Sequence, residues 1–326
     1  MELYLNSYGS YVYKKGKMFE IKTEKIKKKI SPKRISSVII ANAATISTDA
    51  IQMAIDYNID IVFLDKFGNP YGRIWHSKLG STTYIRRKLL EIYLKDEGTK
   101  FVKRWVENKM DNQIGFIKKL LSKRPKIKNM YDSKINKMND LKVKLTKLEG
   151  KLSKNSQSIR GYEGNLSKHY FKIISELIPQ KYKFSGRSTK PAKDPFNASI
   201  NYGYGILYGK VEKALIIAGL DPYIGLLHSD NYNKKSLVFD FIEPFRILIE
   251  EPVFYLFSRH KFNENHFDKI KNGVSLNENG KKILVPQLME FFETKIKYKN
   301  RTMKKIYTIQ KDAHDFANFL IGKNNF

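Results

Sequence analysis

The spacing of apolar residues changes once along this chain, and that change limits the folds open to it. Through about residue 80 the apolar positions fall in short runs of β-branched and aromatic residues: Glu2–Leu5, Tyr11–Tyr13, Met18–Ile21, Ser36–Ile40, Ile59–Leu64 and Tyr71–Trp75. Runs of this kind, bounded by turn residues, predict strands. Lys14-Lys15-Gly16-Lys17 supplies a hairpin turn, and Asp65-Lys66-Phe67-Gly68-Asn69-Pro70 turns the chain before the last run. One helix interrupts the pattern: Ser47 can cap it, and Ile51, Ala54 and Ile55 follow helical spacing.

From about Thr83 the period becomes helical. Tyr84–Leu94, Phe101–Leu121, Ile135–Leu152, Leu166–Ile178, Ile200–Ala218 and Met303–Leu320 read as amphipathic helices, punctuated by Gly98, Pro125, Pro179 and Pro222. The expected fold class is α+β in two domains. A small β-rich, β-sandwich-like domain with one short helix takes residues 1–80, and a larger all-α domain takes 81–326, with the boundary near Ser77–Ser81. In the lysine-rich stretch Lys118–Lys154, the stripe of Leu141, Leu145, Leu148 and Leu152 fits a solvated helical hairpin at least as well as a binding arm.

Composition narrows the partners. Lys+Arg number 61 against 32 Asp+Glu, a formal charge of +29, so a polyanion is the expected partner and nucleic acid the favoured one. A lysine bias of the genome, ribosome binding or anionic lipid would give a similar charge. At 41% hydrophobic residues the chain can bury a real core. The absence of cysteine excludes disulfides, thiolate nucleophiles and Cys-ligated zinc or iron–sulfur sites. The start, Met1-Glu2-Leu3-Tyr4, shows no secretory signal, and no apolar stretch reaches about 18 residues, so the expectation is a soluble protein with no membrane partner.

Three clusters could carry chemistry. In Arg160-Gly161-Tyr162-Glu163-Gly164-Asn165 a carboxylate stands between two glycines at the opening of an apolar helix. Each Gly costs about 1 kcal/mol against Ala in a helix interior but permits close approach of a backbone or ligand. A first-turn carboxylate favoured by the helix dipole accounts for Glu163 as well. In Leu226-Leu227-His228-Ser229-Asp230 the imidazole ends a buried segment and enters a polar loop, as a structural histidine or a ligand. In Ser236–Arg246 two carboxylates, Asp240 and Glu243, interrupt an apolar segment. On a helix they would share a face with Cβ atoms about 5–6 Å apart. Either a divalent cation or the nearby Arg246 could offset their burial, and Pro244 predicts a kink or a helix start.

Carboxylates and one imidazole without thiols suit a hard cation, Mg²⁺ or Mn²⁺, better than structural zinc. In a basic protein such a site points to phosphodiester chemistry. No His-Glu-x-x-His spacing occurs, which leaves a zinc peptidase unsupported. Tyr202-Gly203-Tyr204-Gly205-Ile206-Leu207-Tyr208-Gly209 lacks the Gly-x-Gly-x-x-Gly spacing of a nucleotide loop and reads as a helix packed closely at its glycines.

Taken in order, these blocks resemble a known family, the CRISPR-associated adaptation integrase, a metal-dependent DNA endonuclease that inserts new spacers. The resemblance extends along the whole chain. It rests on Arg160-Gly161-x-Glu163-Gly164 with Tyr170-Phe171, then Lys193-Asp194-Pro195-x-Asn197-Ala198 with Tyr202-Gly203-Tyr204. Gly225-x-Leu227-His228-Ser229 and Ser236-Leu237-Val238-x-Asp240-x-x-Glu243-Pro244-Phe245-Arg246 complete it. Departures are Leu166 and Ser167 where small alanines are common, Lys235 in a place often held by Arg, and Ile247 where Pro is frequent.

The resemblance implies that Glu163, His228 and Glu243 ligate Mg²⁺ or Mn²⁺, with Asp240 a further catalytic carboxylate, ligating or one step removed. It makes Arg160, Arg187, Lys190, Lys193 and Arg246 candidate phosphate contacts, although Arg246 could instead hold the carboxylates. It implies attack of a DNA 3′-hydroxyl on a repeat phosphodiester, a homodimer joined through the β domain, a small ferredoxin-like partner protein and a prokaryotic cytoplasmic setting. The competing expectations are a generic metal-dependent nuclease acting on branched or double-stranded DNA, and a non-catalytic nucleic-acid scaffold.

Overall fold

The computed structural model describes residues 2–24, 26–35, 37–57, 59–65, 70–74, 82–228 and 234–323. The expected turn at Lys66–Asn69, the strand end at Trp75, the boundary at Ser77–Ser81 and the polar loop from Ser229 lie outside them. The chain divides into two compact units, Met1–Gly80 and Ser81–Phe326.

The first unit runs β1 (Glu2–Leu5), β2 (Ser10–Lys15), β3 (Met18–Lys22), β4 (Lys27–Ile30), β5 (Ser37–Ile40), β6 (Ala44–Ile46), α1 (Thr48–Asp56), β7 (Asp60–Leu64) and β8 (Pro70–Ile74). The strands form two four-stranded sheets, ordered β1-β5-β7-β8 and β4-β3-β2-β6. In the first, β1, β5 and β7 are parallel and β8 is antiparallel. In the second, β4, β3 and β2 form an antiparallel meander and β6 lies parallel to β2. Leu3, Leu5, Val38, Ile40 and Ile61 of one sheet meet Val12, Phe19, Ile21 and Ile30 of the other, with Ala50, Met53 and Ala54 of α1, in one core. The Ser47 hydroxyl caps α1 by accepting from the Ala50 N–H at 3.3 Å.

Strand β4 carries no apolar alternation, since three of its four residues are lysines. It is held by charge as well as by its ladder. Glu20 on β3 is fully buried, accepts from the Tyr13 hydroxyl, and lies 3.0 Å from Lys27. Lysines on such a strand also discourage edge-to-edge pairing.

The second unit runs α2 (Thr82–Tyr93), α3 (Asp96–Ser122), α4 (Pro125–Lys128), α5 (Asp132–Thr146), α6 (Leu152–Leu177), α7 (Pro195–Ile217), α8 (Ser236–Phe241) and α9 (Ile247–Ser258). It continues with β9 (Phe267–Ile270), β10 (Gly273–Leu276), α10 (Glu278–Glu293), β11 (Lys295–Tyr298), β12 (Arg301–Lys304) and α11 (Tyr307–Leu320). The long helices α3 and α6 pack together, with α5 against both; α7 packs against α9, α10 and α11. A single apolar core, richest in Leu with many Ile and Phe, runs through these elements. No helix among the described residues is long and apolar enough to cross a membrane.

The expectation of an all-α second domain is corrected by two antiparallel hairpins, β9/β10 and β11/β12. Asn272 and Lys299 adopt left-handed backbone (φ 62° and 50°) in the two-residue loops; Lys299, at the first loop position, sets a turn that matches the strand twist. Arg301–Lys304 is therefore strand, and the last helix begins at Tyr307 rather than Met303. The helix expected over Ile135–Leu152 ends at Thr146, and Gly150, at φ 87°, lies in the connection before Leu152, so Leu148 and Leu152 do not continue the stripe of α5. Helix α6 begins at Leu152, which sets Glu163 well inside a helix instead of in a first turn.

Candidate active site

The face shared by α3 and α6 should be apolar throughout, and it is broken at one place. The buried stripe of α3 passes through Val102, Trp105, Val106, Met110, Ile114 and Ile117, yet it also contains Lys109 and Gln113. The Lys109 side chain is 8% exposed. Its ammonium donates to Glu163 Oε1 on α6 and lies 2.7 Å from Glu243 Oε2. Burial alone would lower the Lys109 pKa, but Glu243 and Glu163 outweigh it and push it up, so the side chain is charged. Sequence reading missed this residue; a lysine on the apolar stripe of a long helix was the signal that could have found it.

Glu163 also accepts from the Ser167 hydroxyl at 2.9 Å, one turn along α6. Its side chain is 25% exposed. Among the described residues, a Cβ built on Gly161 or Gly164 would meet nothing within 4 Å; Gly164 follows Glu163 directly, whereas Gly161 lies on the opposite side of α6. Among the described residues no backbone uses the closeness these glycines permit.

Glu243 begins the turn that Pro244 imposes. Helix α8 stops at Phe241, Glu243–Phe245 form a 3-10 turn, and α9 starts at Ile247. Asn112 of α3 donates to the Pro244 carbonyl at 2.8 Å and fastens that turn. Arg246 grips Glu243 with two parallel bonds, Nε to Oε2 at 2.9 Å and Nη2 to Oε1 at 2.8 Å. Burial would raise the Glu243 carboxyl, but Arg246 and Lys109 more than offset it and hold the pKa at about 2.

Because the helix ends between them, Asp240 and Glu243 do not share a site as helical spacing predicts. The Asp240 carboxylate instead accepts the backbone N–H groups of Leu226 (2.6 Å), Leu227 (2.9 Å) and His228 (3.1 Å). Its Oδ1 also lies 2.5 Å from His228 Nδ1. The loop can come this close because residue 225 is glycine: a Cβ there would stand 2.4 Å from Ser236 Cβ and 3.1 Å from Asp240 Oδ2. With Nδ1 held by a carboxylate, the imidazole offers Nε2 as its ligand atom, the arrangement by which carboxylates orient metal-binding histidines.

The candidate phosphate contacts divide. Arg160 is exposed and donates to the Leu227 carbonyl at 2.9 Å, tying α6 to the His228 loop. Lys190 is exposed, and exposed Lys193 donates to the Asn272 carbonyl at 2.8 Å. Arg187 turns inward. It donates to Asn197 and, at 2.7 Å, to Asn201, and its guanidinium lies over the rings of Phe171 and Tyr204. Arg246 also lies over the Tyr204 ring, 4.7 Å from its centre, with its charge committed to Glu243. Both arginines thus brace the site in this structure. Lys235 is 2.7 Å from Glu212.

Beneath Arg246 lies a second polar layer that sequence reading also missed. Tyr204 donates to buried Glu250 at 2.6 Å, and the Gln113 amide approaches the same carboxylate at 3.4 Å. Burial, followed by Glu250, pushes the Tyr204 hydroxyl well up, so it stays a donor. Glycine 203 lets α7 approach closely, since a Cβ there would sit 2.5 Å from Ile249 Cγ2; this is the helix packing the Tyr-Gly repeats predict.

The donor set fits a hard divalent cation in part. Two carboxylates from different elements already share one cationic group, the Lys109 ammonium, which shows that they can converge on a cation. His228 stands apart from that pair with Asp240, and among the described residues no three His, Asp or Glu side chains are gathered as a metal cluster.

Comparison with known proteins gives a consistent assignment. The family model for CRISPR associated protein Cas1 matches residues 3–290, a span that holds Glu163, His228, Asp240 and Glu243. A CRISPR-associated endonuclease Cas1 of Archaeoglobus fulgidus is 31% identical over 345 aligned positions, covering 100% of this chain and 98% of that protein. A casposase bound to an integration product superposes with a TM-score of 0.83 at 24% identity, over 100% of this chain and 92% of that one. A Cas1 protein from Thermotoga maritima gives 0.80 at 23% identity, over 100% and 99% of the two chains. These two structures establish the shared fold, and the sequence matches establish kinship: the chain belongs to the CRISPR-associated Cas1 protein family.

Proposed function

We propose that this chain is a divalent-metal-dependent DNA endonuclease and integrase that inserts new spacers into a CRISPR array. The observation that carries the reading is the convergence of Glu163 and Glu243 on one cationic group, in a chain of formal charge +29. The Archaeoglobus relative is an endonuclease by name, and the casposase is bound to an integration product; both support strand cutting and joining here.

In this reading a DNA 3′-hydroxyl attacks a repeat phosphodiester. A new P–O bond forms as the old one breaks, the attacking hydroxyl gives up its proton and the departing oxygen takes one; water as the nucleophile gives cleavage instead. Glu163, His228 and Glu243 would hold Mg²⁺ or Mn²⁺, which when bound supplies positive charge to a phosphoryl oxygen. Asp240 fixes the ring of His228, Arg246 keeps Glu243 ionised, and exposed Arg160, Lys190 and Lys193 meet phosphates. No covalent enzyme intermediate is needed, in keeping with the lack of cysteine. The proposal includes a homodimer joined through residues 1–80, a catalytic role for 81–326, a small ferredoxin-like partner and a prokaryotic cytoplasmic setting.

The test pairs a repeat-bearing duplex with a DNA end carrying a free 3′-hydroxyl, in Mg²⁺ or Mn²⁺. Strand joining supports the integrase. Cleavage alone favours a generic nuclease. A scaffold shows neither, and Glu163→Ala then alters only stability. Binding itself should weaken by roughly 10³–10⁵ between 50 and 200 mM salt if about 6–10 phosphates are neutralised.

A further inference from the structure

Lys109 touches both carboxylates of the candidate site, yet the proposed reaction gives it no role. It is buried on α3, and no apolar requirement of the α3–α6 face is met by an ammonium there. Its charge, with that of Arg246, offsets Glu163 and Glu243, so the four side chains sum to zero. Adding a divalent ion to that set leaves two positive charges in a poorly hydrated place. Like charges this close repel strongly where water is scarce.

We propose that Lys109 is a built-in counter-cation that couples metal binding to DNA binding. In the DNA-free protein its ammonium occupies the position between the carboxylates and keeps them together. Metal entry requires the ammonium to leave Glu163 and Glu243, and an arriving phosphate gives it a new anionic partner while lowering the excess positive charge. Lys109 is therefore a positioning residue that suppresses metal loading until substrate is present. The inference rests on the metal-dependent reading of the site.

The experiment measures Mn²⁺ binding by electron paramagnetic resonance, with and without duplex DNA blocked at its 3′ ends, so that no turnover enters the readout. Wild type should bind Mn²⁺ weakly alone and at least about tenfold more tightly with DNA. Lys109→Met should bind Mn²⁺ about tenfold more tightly than wild type without DNA, and should gain less when DNA is added. Lys109→Gln, which keeps a donor without the charge, decides the matter where the methionine variant does not fold. Unchanged or weaker Mn²⁺ binding by the folded, DNA-free variant overturns the proposal while leaving the metal reading intact, because a merely structural lysine would lose affinity when replaced. Absence of Mn²⁺ binding in wild type and variants, with and without DNA, overturns the metal reading and this proposal together.

Discussion

Asp240 holds His228 twice, at its backbone N–H (3.1 Å) and at its ring Nδ1 (2.5 Å), while also accepting the N–H groups of Leu226 and Leu227. Asp240 is therefore expected to act through the histidine. In Asp240→Asn the amide retains an acceptor but turns an N–H₂ toward donors. Bonds to charged groups contribute about 1.5–3 kcal/mol each, so the loop should lose about 3 kcal/mol of stability. Metal-dependent strand transfer should fall about 10–100-fold, the usual effect of removing the partner that orients a metal-binding histidine. Chemical denaturation and a strand-transfer assay on the same preparation check both; a variant with unchanged activity would leave Asp240 only a loop cap.

Acid should reveal the Glu243–Arg246 pair. The folded carboxyl is held at about 2, below its usual 4.5, because Arg246 and Lys109 outweigh the effect of burial. For a lowered carboxylate pKa the added stability is complete above 4.5 and is lost as pH falls toward 2. That difference corresponds to ~3 kcal/mol. Urea unfolding between pH 6 and pH 2.5 should show a shallower acid loss in Glu243→Gln than in wild type, from a lower starting stability. Equal slopes would mean that the pair is not formed in solution.

The secondary structure was legible where one face is buried and the other is wet. Val12 is buried between the more exposed Tyr11 and Tyr13 on β2, and Ile51, Ala54 and Ile55 repeat at helical spacing on α1. Strand β4 was not legible, because it is kept by pairing to β3 and by the Lys27–Glu20 ion pair across the sheet. The hairpin β9/β10 did carry a local signal, Asn272 in the loop followed by Gly273 at the start of β10.

Within the site, Glu163, His228, Asp240 and Glu243 stood out in the sequence as candidates, but their pairing did not. Helical spacing placed Asp240 beside Glu243, whereas Pro244 ends that register and sends the two carboxylates to different partners. Lys109 lies 54 residues from Glu163, and a contact at that separation leaves no periodic trace. Only its polarity on an apolar stripe marks it.

The approach of the His228 loop to α8 depends on Gly225. A Cβ at that position would lie 2.4 Å from Ser236 Cβ and 3.0 Å from the Ser236 carbonyl carbon, so the loop must move. Overpacking of this kind costs about 1–3 kcal/mol. Gly225→Ala should therefore lower the melting temperature and weaken strand transfer. Its effect should also fail to add to that of Asp240→Asn, since both release the same bonds. Strict additivity in the double mutant would show that the loop adapts around the methyl group.

Gly161 and Gly164 pose the opposite case. An added Cβ at either would touch nothing within 4 Å, and both lie inside α6, where alanine is favoured over glycine by about 1 kcal/mol. Among the described residues nothing gives a reason for glycine, so the approach tested is that of DNA from outside. Glu163, between them, is the partly exposed carboxylate of the pair that shares Lys109. A DNA backbone seated against this face would meet the new methyl group, and displacement of about 1 Å at a reacting centre can lower a rate about 100-fold. Gly164→Ala should accordingly raise stability by about 1 kcal/mol while reducing strand transfer about 10–100-fold. Paired thermal melts and strand-transfer rates separate the two effects: a stabilised variant with full activity would show that DNA does not use the space beside Glu163.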